Sequence, residues 1–221
     1  MSESGARSWS VPATDGSAIV APDRRTLLVA AVLLEGALVG LAFLLGWWFG
    51  EPPLRLLQWN WADLAISLIA TAPLILFIVV LERCPFGFLK QIRDDCIDVW
   101  QALLRSSGWW DILLFSALAG FCEEVLFRGV LQPSLIDQLG KPLGILATAL
   151  LFGLAHPLSV TYVVVVALIG VYLGLLHEFT DNLLVVILVH GLYDLAAMAY
   201  LKWRFAQSPT ASQWIAPTSA S

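Results

Sequence analysis

Apolar residues run along this chain in stretches of about 20, the length a helix needs to cross the hydrocarbon core of a bilayer. Thr26–Phe49 is the first such stretch, with Glu35 inside it, and Asp63–Leu81 is the second. A longer one runs from Trp109 to about Leu135. Pro142–His156 is the fourth, ended or kinked by Pro157. Thr161–His177 and Asn182–Leu201 complete the set. Residues 82–108 read differently. Phe88, Ile92, Cys96 and Trp100 recur at helical spacing among Arg83, Lys90, Arg93, Asp94, Asp95, Asp98 and Arg105, the pattern of an amphipathic helix on the membrane surface. Residues 1–25 and 205–221 are polar enough to read as disordered tails. The expected fold is all-α: a polytopic transmembrane helical bundle of about six spans plus one amphipathic cytoplasmic helix, filling residues 26–204. No internal repeat and no separate soluble domain interrupts it.

Composition sharpens this picture. Hydrophobic residues make up 59% of the 221 and charged residues only 13%, with a mean hydropathy of +0.81. A soluble domain is about half apolar and roughly a quarter charged, so a polytopic membrane protein with a lipid bilayer as its solvent is implied. The net charge of −5 carries little, because orientation follows the placement of Lys and Arg. A cytoplasmic N-terminus puts Arg7, Arg24, Arg25, Arg83, Lys90, Arg93, Arg105, Lys202 and Arg204 inside, and Arg55 and Lys141 outside, with Arg128 if it counts as loop. That asymmetry places both termini in the cytoplasm. No basic face suits a nucleic acid. Cys84, Cys96 and Cys122 imply no disulfide framework, and Cys122 reads as a packing residue. Trp47, Trp48, Trp59, Trp61, Trp109, Trp110 and Trp203 stand at span ends, where amphipathic rings favour the headgroup layer. No removable signal peptide is evident, so the first span is expected to act as its own anchor.

Three strings carry chemistry into these spans: Glu123-Glu124-Val-Leu-Phe-Arg128, Phe152-Gly-Leu-Ala-His156 and His190-Gly-Leu-Tyr-Asp194. Ionisable groups are costly in hydrocarbon and rarely persist there without a partner or a function. Glu124 and Arg128 are four apart and share a helix face, whereas Glu123 points about 100° away and is free to face a cavity. His190 and Asp194 repeat the spacing, so the carboxylate can orient the imidazole. Phe152 and His156 repeat it again and bring an aromatic ring beside the histidine. Glu123 and His156 each lie about 16 residues from the turn at Leu139-Gly140, hence at similar depth, and tilt brings His190 to the same layer. Taken singly, a Glu–Arg pair is often structural and an intramembrane histidine often a helix-packing donor. Glu35 reads as an interhelical contact and His177, beside Glu178, as interfacial. Convergence of acids and imidazoles on three spans is what favours function. Such groups can activate a water, bind a metal or move protons.

Soluble templates are excluded. No H-E-x-x-H zinc helix, no G-x-S-x-G nucleophile elbow and no nucleotide-binding P-loop is present. The ordered set E-E-x-x-x-R, F-x-x-x-H and H-x-x-x-[ND] on successive membrane helices resembles the CAAX-protease and bacteriocin-processing family, also called the ABI family. The likeness covers about residues 109–201. It implies a peptidase, an intramembrane endopeptidase of a protein or peptide substrate, in the CAAX case a prenylated one. Asp194 stands where prenyl endopeptidases tend to have Asn, which fits bacterial relatives and a multi-pass protein of a bacterial-type inner membrane. By resemblance Glu123 is the general base on water, assisted by His156; His190 and Asp194 position or stabilise the oxyanion; Glu124 and Arg128 support the site. As an oxyanion donor Asp194 is poorer than Asn unless protonated, so it is better read as the orienter of His190. The family is labelled metalloprotease, and Glu123, His156 and His190 could hold Zn²⁺. A metal-free water activated by glutamate fits the same residues.

Two other classes stay open. A proton-coupled transporter would use the same groups as a relay, although it lacks inverted repeats and paired broken helices. A non-catalytic family member acting as scaffold or immunity protein would have no need of the complete motif set. Proteoliposome flux and peptide cleavage separate these readings.

Overall fold

The computed structural model describes residues 23–83, 87, 103–104 and 106–206. The expected amphipathic helix falls mostly outside the described residues, as do nearly all of both tails. Every element among the described residues is helical: α1 (Arg24–Phe49), α2 (Trp61–Arg83), α3 (Trp109–Leu126), a π-helical turn (Phe127–Leu131), α4 (Gln132–Leu139), α5 (Lys141–Leu154), α6 (Val160–Thr180) and α7 (Leu183–Ala206).

Local chemistry sets the helix ends. α1 begins at Arg24, two residues before the expected Thr26, because the Asp23 carboxylate accepts the Thr26 N–H at 2.6 Å. Gly50, at φ 76°, ends it in the left-handed region that glycine enters without steric cost. Ser159 Oγ caps α6 by accepting the Tyr162 N–H. α5 stops at Leu154, two residues short of His156, since the residue before a proline disfavours helical backbone. His156 therefore sits in the α5–α6 turn.

Among the described residues four helices are long and apolar enough to cross a membrane: Arg24–Phe49, Trp61–Leu81, Val160–Thr180 and Leu183–Ala206. The expected third and fourth spans differ from these. α3 carries Asp111, Glu123 and Glu124 and passes into the π turn and α4, and α5 has only 14 residues. The six expected spans thus correspond to four full-length apolar helices, with α3 and α5 packed among them. The tryptophans assigned to span ends are exposed, Trp48 by 74% and Trp110 by 81%.

α7 is the centre of the bundle, packed on α3, α2 and α6, while α1 lies against α3 and α5 against α6. Polar ties fix the two ends. At one end Arg24 grips Asp111 with two 2.7 Å hydrogen bonds. At the other, the Asn182 amide donates to Gln58 O and Asp63 Oδ2 and accepts from Gln58 N, and Lys141 pairs with Glu178 at 2.8 Å. Between them the Tyr172 hydroxyl donates to Ala70 O and joins α6 to α2.

The α3–α7 crossing is set by two glycines. A Cβ on Gly120 would lie 2.7 Å from Gly191 N and 2.9 Å from Ile187 O. Both are backbone atoms that cannot turn aside. Gly120→Ala is expected to push the helices apart, at about 1–3 kcal/mol, and to cut turnover more than substrate affinity, because Glu123 sits one turn along. Thermal unfolding in detergent beside peptide-cleavage kinetics checks both effects.

Candidate active site

All six side chains singled out from the motifs meet at the centre of the bundle. Glu124 and Arg128 are wholly buried, and Arg128 Nη1 donates to Glu124 Oε1 at 2.7 Å. The same carboxylate oxygen accepts from His190 Nδ1 at 2.8 Å, across from α3 to α7. Glu124 thus bridges two motifs, a link that helical spacing alone does not reveal. Arg128 Nη2 donates to Gly170 O at 2.8 Å, and one turn on Gln132 Nε2 donates to Gly174 O at 3.1 Å. The guanidinium lies 4.7 Å from the Phe152 ring centroid, a favourable cation–π placement. Phe152 also meets the His156 ring at 5.0 Å and the His190 ring at 5.8 Å. This one ring sets the spacing of three catalytic candidates.

Glu123 points away from that pair, as its helical phase predicts, into a cavity of about 280 Å³. His156, Glu35, His190 and Asp194 share its wall with apolar side chains such as Phe77 and Ile169. Glu123 is 9% exposed, and its Oε2 has no hydrogen-bond partner. His156 Nε2 stands 3.7 Å from that oxygen, too far for a direct hydrogen bond and close enough for one water to touch both. The other ring nitrogen, Nδ1, is 2.8 Å from Phe152 O. A carbonyl only accepts, so Nδ1 carries the hydrogen, and in the neutral ring Nε2 presents a lone pair. A water held between Glu123 and His156 then meets two acceptors. Both of its hydrogens are engaged, and its oxygen lone pairs face the cavity.

His190 completes the wall. Its Nδ1 is committed to Glu124, and its Nε2 lies 3.5 Å from Asp194 Oδ2, a loose contact that still orients the ring. An imidazole that donates Nδ1–H to Glu124 offers an Nε2–H to the cavity in its imidazolium form.

The three metal candidates do not form a ligand set. Among the described residues no three His, Cys, Asp or Glu side chains come together in a way that could hold a metal ion. The nitrogens of His156 and His190 that do not face the cavity are bound to Phe152 O and Glu124, so each ring has one nitrogen left.

Two residues lie elsewhere than their sequence positions suggest. Glu35, read as an interhelical contact, lines the cavity that Glu123 and His156 face; the one signal for it was an acid alone in an apolar stretch. His177, read as interfacial, is buried, 4.0 Å from Glu178 and covered by the α1–α2 loop. Cys122 is buried in α3, as a packing residue should be.

Residues 105–196 match the family model described as type II CAAX prenyl endopeptidase Rce1-like. No curated protein and no solved structure matches the chain. The matched segment runs from just before α3 into α7 and contains all three motifs, while α1 and α2 lie outside it. Every residue of the Glu123–His156 and Glu124–Arg128–His190–Asp194 groupings therefore falls within the segment that is similar to the Rce1-like, type II CAAX prenyl endopeptidase family.

Proposed function

We propose that this protein is a multi-pass intramembrane endopeptidase that hydrolyses a peptide bond of a lipidated or otherwise membrane-associated peptide, using a water activated between Glu123 and His156. The observation that carries this reading is the pair itself. A buried carboxylate oxygen without a partner and an imidazole lone pair face each other at 3.7 Å on the wall of one cavity. In the reaction the water oxygen attacks the scissile carbonyl carbon and Glu123 takes one of its protons. Charge gathers on the carbonyl oxygen, and the His190 Nε2–H is aimed into the same cavity to meet it. Fixed donors of this kind act most strongly where water is scarce. Glu123 then passes its proton to the amide nitrogen as the C–N bond breaks, giving an amine and a carboxylic acid that loses its remaining proton to water. Glu124, Arg128 and Asp194 hold His190 in place. The sequence of steps runs without a metal. The distribution of Lys and Arg favours a cytoplasmic location for both termini.

The test is cleavage of a farnesylated C-terminal peptide by purified protein in detergent, with and without a strong chelator. Turnover is expected to persist under chelation; loss that Zn²⁺ restores would overturn the metal-free mechanism. His156→Ala is expected to lower kcat by about 10²-fold with little change in KM, because the imidazole touches the water and not the peptide. A rise in KM at constant kcat would place His156 in substrate binding instead.

A further inference from the structure

α1 lies outside the matched segment, yet it delivers a carboxylate to the catalytic cavity. Glu35 is partly buried, and its Oε2 is shielded from solvent without any hydrogen-bond partner. Glu123 and the α7 residues His190 and Asp194 line the same cavity. None of the proposed steps uses it: the water lies between Glu123 and His156, and His190 is oriented by Glu124 and Asp194.

Charge in the cavity is unbalanced. Among the described residues three carboxylates, Glu35, Glu123 and Asp194, share its wall with two imidazoles, and no lysine or arginine lines it. Arg128 does not redress this, since its guanidinium is committed to Glu124 and Gly170 behind the wall. The nearly buried Glu123, with its unpartnered oxygen, also faces the cavity. Apart from Tyr162 and Tyr193 the remaining described wall is apolar, so a ligand entering it loses most of its hydration. An unpaired carboxylate in such surroundings is stabilised by a ligand that brings a positive charge or a strong donor.

We propose that Glu35 is a specificity residue that pairs with a basic side chain of the substrate close to the scissile bond. The proposal rests on the peptidase reading of the same cavity. The apolar wall receives the hydrophobic part of the substrate, and Glu35 reads a lysine or arginine beside it. Substrates with a neutral residue at that position leave the carboxylate desolvated and unpaired, and are disfavoured.

The experiment uses farnesylated peptides in which each position within three residues of the cleaved bond carries lysine or, in a matched peptide, its neutral analogue norleucine. With wild-type protein, lysine at one position is expected to raise kcat/KM about tenfold over norleucine, in keeping with a hydrogen bond to a charged group. Glu35→Gln should bring that ratio close to one, and Glu35→Asp should keep most of it. The same peptides are titrated against Glu123→Gln protein by tryptophan fluorescence, with and without Glu35→Gln. This binding arm separates the two possible failures. If no peptide is cleaved but lysine peptides bind about tenfold tighter through Glu35, the peptidase reading fails and the cation site stands. Equal handling of lysine and norleucine peptides by wild-type protein, or a lysine preference that survives Glu35→Gln, overturns the proposal.

Discussion

Glu123→Gln is expected to abolish peptide cleavage, with kcat lowered by about 10²–10⁴-fold, the share a positioned general base contributes, while the protein inserts and folds as before. The substitution keeps the shape of the side chain and removes only its capacity to take a proton. Glu123 Oε2 has no hydrogen-bond partner to lose, and burying a neutral amide costs less than burying a carboxylate. Stability should therefore hold or rise while turnover falls. The comparison with Glu124→Gln is informative. That change weakens the contacts to both Arg128 and His190, so it should lower stability and activity together, with a smaller loss of turnover than Glu123→Gln. Near-normal turnover in Glu123→Gln beside complete loss in Glu124→Gln would exchange the two roles. Size-exclusion profiles and unfolding midpoints in detergent distinguish a folded inactive protein from a damaged one.

Arg128→Met carries the largest expected loss of stability. Both partners of the Glu124–Arg128 pair are fully buried, and removing one leaves the other as an uncompensated charge, at about 3–5 kcal/mol. The change also deletes the donor to Gly170 O and the cation over Phe152. Methionine fills much of the same volume, so the loss should report charge and hydrogen bonding more than a cavity. Replacing Glu124 with leucine in the same protein should restore a large part of the stability, because an apolar pair of similar size avoids the desolvation that the ion pair has to offset. Activity should not return, since His190 Nδ1 would have lost its acceptor. Chemical denaturation of the two single variants and the double variant measures the coupling; strictly additive losses would mean that the pair is not the unit described.

Much of this site was legible along the chain because spacing of four on a helix is geometric information. It paired Glu124 with Arg128, set His156 beside Phe152 and turned Glu123 towards a separate face. Equal distance from the Leu139-Gly140 turn put Glu123 and His156 at one depth. Contacts that depend on the rotation of one helix against another were not legible. The shared oxygen of Glu124 is one case: its bond to His190 depends on the close approach of α3 and α7 at Gly120 and Gly191. Glu35 is another. α1 is apolar on every side and only slightly buried, so nothing in its sequence says which way the acid points until α3 packs against it. His177 was misplaced because a residue near a span end is assigned to the interface, whereas α6 continues to Thr180 and the α1–α2 loop folds over it. The expected six spans and the four full-length apolar helices differ for a related reason. Apolarity marked α3 and α5 as spans, but α3 carries three carboxylates and α5 has only 14 residues, so neither has the length and uniform apolarity of the other four.

The π turn at Phe127–Leu131 has a consequence for the kinds of change this chain tolerates. It begins immediately after the helix that carries Glu123 and Glu124, and it holds Arg128 and Gly129 in a widened coil that closes with Gln132 N–H on Phe127 O. Arg128 and Gln132 then fall in step with the carbonyls of Gly170 and Gly174. The coil already holds one residue more than an ordinary turn, so adding another here would rotate α4 by about 100°, carrying Gln132 off its acceptor and swinging α4 away from α5. Most positions in a membrane helix accept one apolar residue for another. In this segment the number of residues is itself the constraint, so one inserted residue in an otherwise conservative variant would do more harm than several substitutions around it.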